Sequence, residues 1–213
     1  MGREFLHIFD GWADTYDASV TGHDAQYAKV FENYDGILKA VVDHANPGTI
    51  LEFGVGTGNL TEKLLEANYD VIGVEPSDAM RELAKEKLPA LSLYTGDFID
   101  YPKVETPVNT IVSTFAFHHL TDSEKEIAIK RFAVQLTTNG KVVFGDTMFT
   151  SDIHKMSVIK EAKDNGYFDL AADLDREYYP TIELLRNIFT LHGFEVTFRQ
   201  MNDFAWLVVA TKK

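Results

Sequence analysis

The run Ile50-Leu51-Glu52-Phe53-Gly54-Val55-Gly56-Thr57-Gly58-Asn59-Leu60 carries the spacing with the clearest chemical use: glycines at every second position after an apolar run. It continues as Leu60-Thr61-Glu62-Lys63-Leu64-Leu65-Glu66, which reads as a helix. A buried strand, a glycine loop and a helix in that order gather backbone N–H groups and a positive helix end around a ligand. Glycine suits the loop because no Cβ blocks close approach and a positive φ costs little. Glu75 and Asp97 close two later apolar runs, and an ionised carboxylate accepts several hydrogen bonds. His118 and His119 follow a third such run, where an imidazole can take a proton near neutral pH. No metal centre is expected: the two histidines are adjacent, and Asp146 is only a candidate third ligand.

These residues need elements that bring them to one place. Thr49–Phe53, Val71–Glu75, Leu91–Thr95, Asn109–Thr114 and Lys141–Asp146 read as five strands separated by helical segments. Thr121-Asp122-Ser123-Glu124 is a capping box that opens one of those helices. Strand and helix in alternation make a parallel, doubly wound α/β sheet, whose ligands sit at the carboxyl ends of the strands. Gly54, Glu75, Asp97, Thr114 and Asp146 all fall at such ends. Phe194–Phe198 and Trp206–Thr211 are too close for a crossover helix and must pair antiparallel, giving a mostly parallel seven-stranded sheet with a C-terminal hairpin. Phe5, Ile8, Phe9 and Trp12 recur at helical spacing, and a second stripe runs through Tyr27, Phe31, Tyr34, Leu38 and Val41. Between Thr147 and Pro180 the rhythm lapses, with Met156, Ile159, Tyr167, Leu170 and Leu174 suggesting one or two inserted helices. Asp169, Asp173, Asp175 and Glu177 read there as a solvated face rather than a cation trap. Tyr167, Tyr178 and Tyr179 are candidates for a pocket lining.

Composition narrows the ligand. The 213 residues hold 45% hydrophobic residues, enough for a sizeable core. A net charge of −13 disfavours nucleic acid as a partner, since phosphates need a basic patch. The absence of cysteine removes disulfides and thiolate chemistry. No leader sequence and no apolar run of membrane-spanning length is visible, so a cytoplasmic protein without membrane association is expected.

Taken together, these motifs resemble the class I S-adenosylmethionine-dependent methyltransferases, a Rossmann-like fold, over essentially the whole chain. Glu52–Gly58 is similar to the family's first motif, and Asn59 stands where a dinucleotide-binding loop needs glycine. Gly96-Asp97-Phe98, Ser113-Thr114-Phe115 and Asn139–Val143 resemble later motifs. The opening Phe9–Asp17 resembles that of small-molecule methyltransferases, and the chain as a whole resembles small methyltransferases from Bacillus-type bacteria. The resemblance implies S-adenosylmethionine as cofactor, with S-adenosylhomocysteine as product. It implies cofactor contacts from Tyr16, Gly54, Gly56, Glu75, Pro76, Met80, Asp97, Phe98, Thr114 and Phe115. Glu75 would hold the ribose hydroxyls, Asp97 the adenine amino group, with Phe98 and Met80 flanking the ring and Glu52 fixing the loop. His118 and His119 are the catalytic candidates. The implied organisation is one domain over residues 1–213. A helical cap covers 1–48, a cofactor-binding core 49–146, an inserted lid 147–180, and a C-terminal helix and hairpin 181–213. The expected activity is methyl transfer to a small-molecule acceptor, by a monomer or homodimer. Two rivals stay open here: a non-catalytic S-adenosylmethionine-binding regulator, and a NAD-dependent oxidoreductase, which would want the longer glycine loop.

Overall fold

A computed structural model of the chain describes residues 24–213 together with Asp17 and Val20. The helix expected through Phe5 and Trp12, and the expected site residue Tyr16, lie outside the described residues. Seven strands form one sheet: β1 (Thr49–Phe53), β2 (Asp70–Glu75), β3 (Ser92–Thr95), β4 (Val108–Thr114), β5 (Leu136–Thr147), β6 (Phe194–Gln200) and β7 (Ala205–Lys212). Their spatial order is β3-β2-β1-β4-β5-β7-β6. The first five pair in parallel, and β7 runs antiparallel between β5 and β6. The strand order reverses between β1 and β4, which puts the ligand crevice of such a sheet at their carboxyl ends.

Seven helices are described: α1 (Tyr34–His44), α2 (Asn59–Glu66), α3 (Asp78–Lys87), α4 (Asp122–Gln135), α5 (Asp152–Asp164), α6 (Phe168–Arg176) and α7 (Ile182–Leu191). The central strands are apolar on both faces because each face is covered. Leu51, Phe53, Ile111, Val142 and Phe144 pack with residues of α4 and α7. Their neighbours Ile50, Val112 and Val143 point the other way, toward α1 and α2. Strand periodicity of two thus feeds two cores from one sheet. A third cluster joins Phe31 and Val30 to Phe149, Ile159, Leu170, Leu174 and Phe204, and it packs α5 and α6 against the segment before α1.

Three local readings change. The stripe from Tyr27 to Val41 is not one helix: Asn33 takes a left-handed φ of 61° and α1 begins only at Tyr34. β5 starts at Leu136 rather than Lys141, since Leu136 already pairs with Val108 before a register shift. Met156, one of the residues that suggested inserted helices, is 69% exposed on α5, whose inner side is set by Ile159 and Ala162.

Candidate functional site

β1 ends at Gly54, whose φ of 67° begins the glycine loop, and the Gly54 N–H donates to the Val74 carbonyl of the neighbouring strand at 2.9 Å. A Cβ on Gly54 would lie 2.7 Å from the Ala116 methyl, so the loop packs directly against the segment leaving β4. Gly56 differs: among the described residues, a Cβ there would meet nothing within 4 Å. Glu75, only 5% exposed, ends β2. Its carboxylate accepts the Gly56 N–H and the Ser77 N–H, each at 2.9 Å. The acid therefore braces the glycine loop and the start of α3 together. Ser77 caps α3 by accepting the Met80 N–H, and buried Met80 lies one turn in. Pro76 offers its carbonyl to Arg81.

Asp97 accepts the N–H groups of Ile99 and Asp100, both at 2.8 Å, which folds the loop after β3. Phe98 is buried among Phe53, Phe117 and Phe144, with its ring stacked on Phe53 at 5.1 Å. Thr114 ends β4 half-buried. Phe115 takes a φ of 50° and turns its ring to Phe31 and Tyr34. Glu52, 1% exposed, accepts the Thr61 hydroxyl at 2.6 Å and so ties β1 to α2. Burial pushes its carboxyl up to about 8, against the Thr61 hydrogen bond, and the Glu75 charge adds to the rise.

The histidines occupy the same carboxyl edge. Phe117–His119 form a single 3-10 turn after β4, and Asp146 ends β5 beside it. Asp146 accepts the His118 backbone N–H at 3.0 Å and faces His118 Nδ1 at 2.5 Å. His118 Nε2 lies 3.2 Å from Glu177 Oε2, and His119 Nδ1 lies 3.6 Å from that same oxygen. Tyr179 donates its hydroxyl to Glu177 at 2.9 Å and stacks on His118 at 4.6 Å. Glu177 caps the C-terminal end of α6, and the acidic row expected to be a solvated face is one only in part. Asp169 and Asp175 are exposed, but Glu177 points into the histidine pair and Asp173 accepts from Tyr27. Sequence spacing could not find Glu177, which is remote in the chain from the histidines it faces.

The electrostatics follow from burial and charge. Burial alone would lower the His118 imidazole, but the Asp146 and Glu177 carboxylates outweigh it and push it up to about 9. Burial and the His118 charge push His119 down to about 3. Burial opposes ionisation of Glu177, yet the His118 hydrogen bond and charge hold it down at about 2. Lys125 is fully buried nearby, lowered by burial to about 8, and donates to the carbonyls of Leu120 and Tyr178. It joins the chain just after the histidines to the chain just after Glu177. The Thr121–Glu124 capping box fixes the start of α4, which places Lys125. Asp17, read in the sequence only as part of the opening motif, accepts the Thr57 hydroxyl at 2.8 Å and the Asn59 amide at 2.9 Å, a contact with the glycine loop that sequence spacing does not show.

Comparison with known proteins gives this edge its family. Residues 50–140, spanning β1 through the start of β5, match the model of a methyltransferase domain. The chain is 57% identical to an uncharacterized methyltransferase of Oceanobacillus iheyensis, over 100% of this chain and 99% of the relative. The chain belongs to the class I S-adenosylmethionine-dependent methyltransferases. Among solved structures, an S-adenosylmethionine-dependent methyltransferase of Thermotoga maritima aligns with a TM-score of 0.72 at 20% identity, covering 98% of this chain and all of the other. The magnesium protoporphyrin IX methyltransferase of Synechocystis, solved with S-adenosylmethionine bound, aligns at 0.63 and 16% identity, over 88% of this chain and 84% of that one. The shared fold is the Rossmann-like methyltransferase sheet expected from the sequence. In this methyltransferase no described helix is long and apolar enough to cross a membrane.

Proposed function

We propose that this methyltransferase binds S-adenosylmethionine along the carboxyl edge of β1, β2 and β3 and transfers its methyl group to a small-molecule acceptor held beside His118 and His119. One observation carries the reading: the glycine loop braced by Glu75 and the buried histidine–carboxylate cluster lie at the ends of adjacent strands of one sheet. The residues fit the cofactor. Among the described residues nothing crowds Gly56, which would admit a ligand against bare backbone. Glu75 ends β2 beside the glycine loop, and a carboxylate is the acceptor type that suits a ribose diol. Gly54 and Gly56 would receive the carboxypropyl end, and Pro76, Met80, Asp97 and Phe98 the adenine side. Thr114, Phe115 and Tyr16 would lie toward the methionine portion.

When bound, the sulfonium cofactor supplies a methyl group already activated for direct in-line displacement. The protein's own work is then to orient the acceptor, exclude water and receive a proton where the acceptor carries one. Holding two reactants in line is worth on the order of 7–11 kcal/mol in favourable cases. The segment 24–33, α5 and α6 pack with one another and against Phe115 and Tyr179, and residues 147–180 would form the body of a lid. Of the two catalytic candidates, His119 is the neutral imidazole that would receive such a proton, while His118, held charged between Asp146 and Glu177, would orient the acceptor.

Calorimetric titration of the purified chain with S-adenosylmethionine, S-adenosylhomocysteine and NAD tests the reading. Saturable binding of the first two at one site per chain, lost in Glu75→Ala, is expected. Binding of NAD alone would reverse it. Cofactor binding with no methyl acceptor in a broad metabolite panel would leave a non-catalytic binding protein.

A further inference from the structure

We infer that His118, His119 and Glu177 form a binding site for one first-row divalent cation of the zinc and cobalt class. The inference rests on the geometry of these side chains and holds whether or not the methyl-transfer reading does. One donor atom from each residue lies within 4.8 Å of those of the other two. Glu177 Oε2 stands 3.2 Å from His118 Nε2 and 3.6 Å from His119 Nδ1. A tetrahedral cation with bonds of about 2.0–2.1 Å requires ligand atoms about 3.3–3.4 Å apart. The two spacings to Glu177 bracket that value, and the His118–His119 donor pair lies within 4.8 Å, so a cation could enter with adjustment of the side chains.

The surroundings are built as a metal site's surroundings are. A ligating histidine nearly always directs its second ring nitrogen to a carboxylate, a backbone carbonyl or water, which sets the tautomer and the ring plane. His118 does this: Nδ1 faces Asp146 Oδ1 at 2.5 Å while Nε2 is left toward Glu177. Asp146 is itself fixed by the backbone N–H groups of His118 and Thr147, at 3.0 and 2.7 Å. The Tyr179 hydroxyl orients the Glu177 carboxylate at 2.9 Å, and its ring covers one face of His118. Lys125 binds the Leu120 and Tyr178 carbonyls, holding the two ligand-bearing stretches at a fixed separation from outside the donor set. The side chains of His118, His119 and Glu177 are only 7, 15 and 11% exposed, so the donors are shielded from bulk water.

Two imidazoles and one carboxylate suit zinc and its neighbours better than calcium or magnesium, which prefer all-oxygen shells. Three protein ligands leave one position of a tetrahedron open. At this edge of the sheet, the open position would take an oxygen, nitrogen or sulfur atom of the acceptor.

The test uses the full chain freed of any histidine tag and stripped with chelator. Titration with cobalt(II) should saturate at one equivalent and develop the visible bands of a four-coordinate site. Zinc(II) should abolish the bands by competition. His119→Gln and Glu177→Gln should each lose the bands. Asp146→Asn should bind about 10–100-fold more weakly while keeping the stoichiometry, as expected for a residue that positions a ligand. Far-UV circular dichroism of each variant establishes that it is folded, and the wild-type titration decides independently of them. Absence of visible bands in the wild type, or uptake unchanged in folded Glu177→Gln, would overturn the site and mark any bound cobalt as adventitious. S-adenosylmethionine titrated in chelator gives a separate readout, so the cofactor reading and the cation site can fail independently.

Discussion

At the level of single residues, Gly54 and Gly56 look alike in sequence and differ in what their missing side chains permit. Both have positive φ, which costs an L-residue about 1–2 kcal/mol. Gly54→Ala adds a clash with Ala116 at 2.7 Å, so its main effect should be a lowered melting temperature. Gly56→Ala meets no atom of the described residues and fills the space assigned to the cofactor. It should cost only the backbone term in stability but weaken S-adenosylmethionine binding by about tenfold or more, some 1.4 kcal/mol. Paired thermal melts and cofactor titrations separate the two. Glu52 gives a pH test. Its folded value near 8 lies above the ordinary 4.5, so the fold holds the proton more tightly than the unfolded chain does. Its contribution is complete below 4.5 and is lost as pH rises through 8. Glu52→Gln should therefore flatten the fall in stability across that window, as followed by denaturant unfolding at successive pH values. A variant falling as steeply as the wild type would contradict this.

Among the elements, α6 carries the most unexpected arrangement. Asp169, Asp173 and Glu177 repeat every four residues, a pattern that ordinarily marks a solvated stripe. Here each acid has a partner on another element: Gln26 for Asp169, Tyr27 for Asp173 and the histidine pair for Glu177. The row fastens α6 to the segment before α1 at one end and to the turn after β4 at the other. Removing the Tyr27 hydroxyl leaves Asp173, half-buried and already raised by burial, without that donor. Tyr27→Phe should therefore speed amide hydrogen exchange in α6 and in residues 24–33 while leaving β1 and β4 unchanged. Equal exchange in α6 would show that apolar packing through Leu170 and Leu174 alone holds it.

For the molecule as a whole, the sheet order sets where stability resides. β1 and β4 are covered on both faces and paired on both edges, whereas β3 and β6 are the outer strands. Amides of β1 and β4 should exchange only by global unfolding, and those of β3 and β6 faster by local opening, with the difference read by native-state hydrogen exchange. Much of this architecture was legible in the chain. Short apolar runs alternating with helical patterning placed the five parallel strands, and the short Phe194–Trp206 spacing dictated the antiparallel pair, because both are consequences of local backbone geometry. Glycine spacing and acids at strand ends likewise disclosed the family, since a ligand cradle made of backbone needs glycine at fixed positions. The acceptor side was not legible in this way. Glu177 meets His118 across the α5–α6 excursion, Asp17 reaches Asn59 from the N-terminal segment, and Lys125 spans two loops by its carbonyl bonds. Those contacts carry no sequence period, because they depend on how separate elements pack rather than on how one element repeats. The sequence by itself determined the sheet, the glycine cradle and the methyltransferase family. Only the tertiary structure decided that an apparently solvated acid is buried against two histidines, because folding sets the distance between residues far apart in the chain.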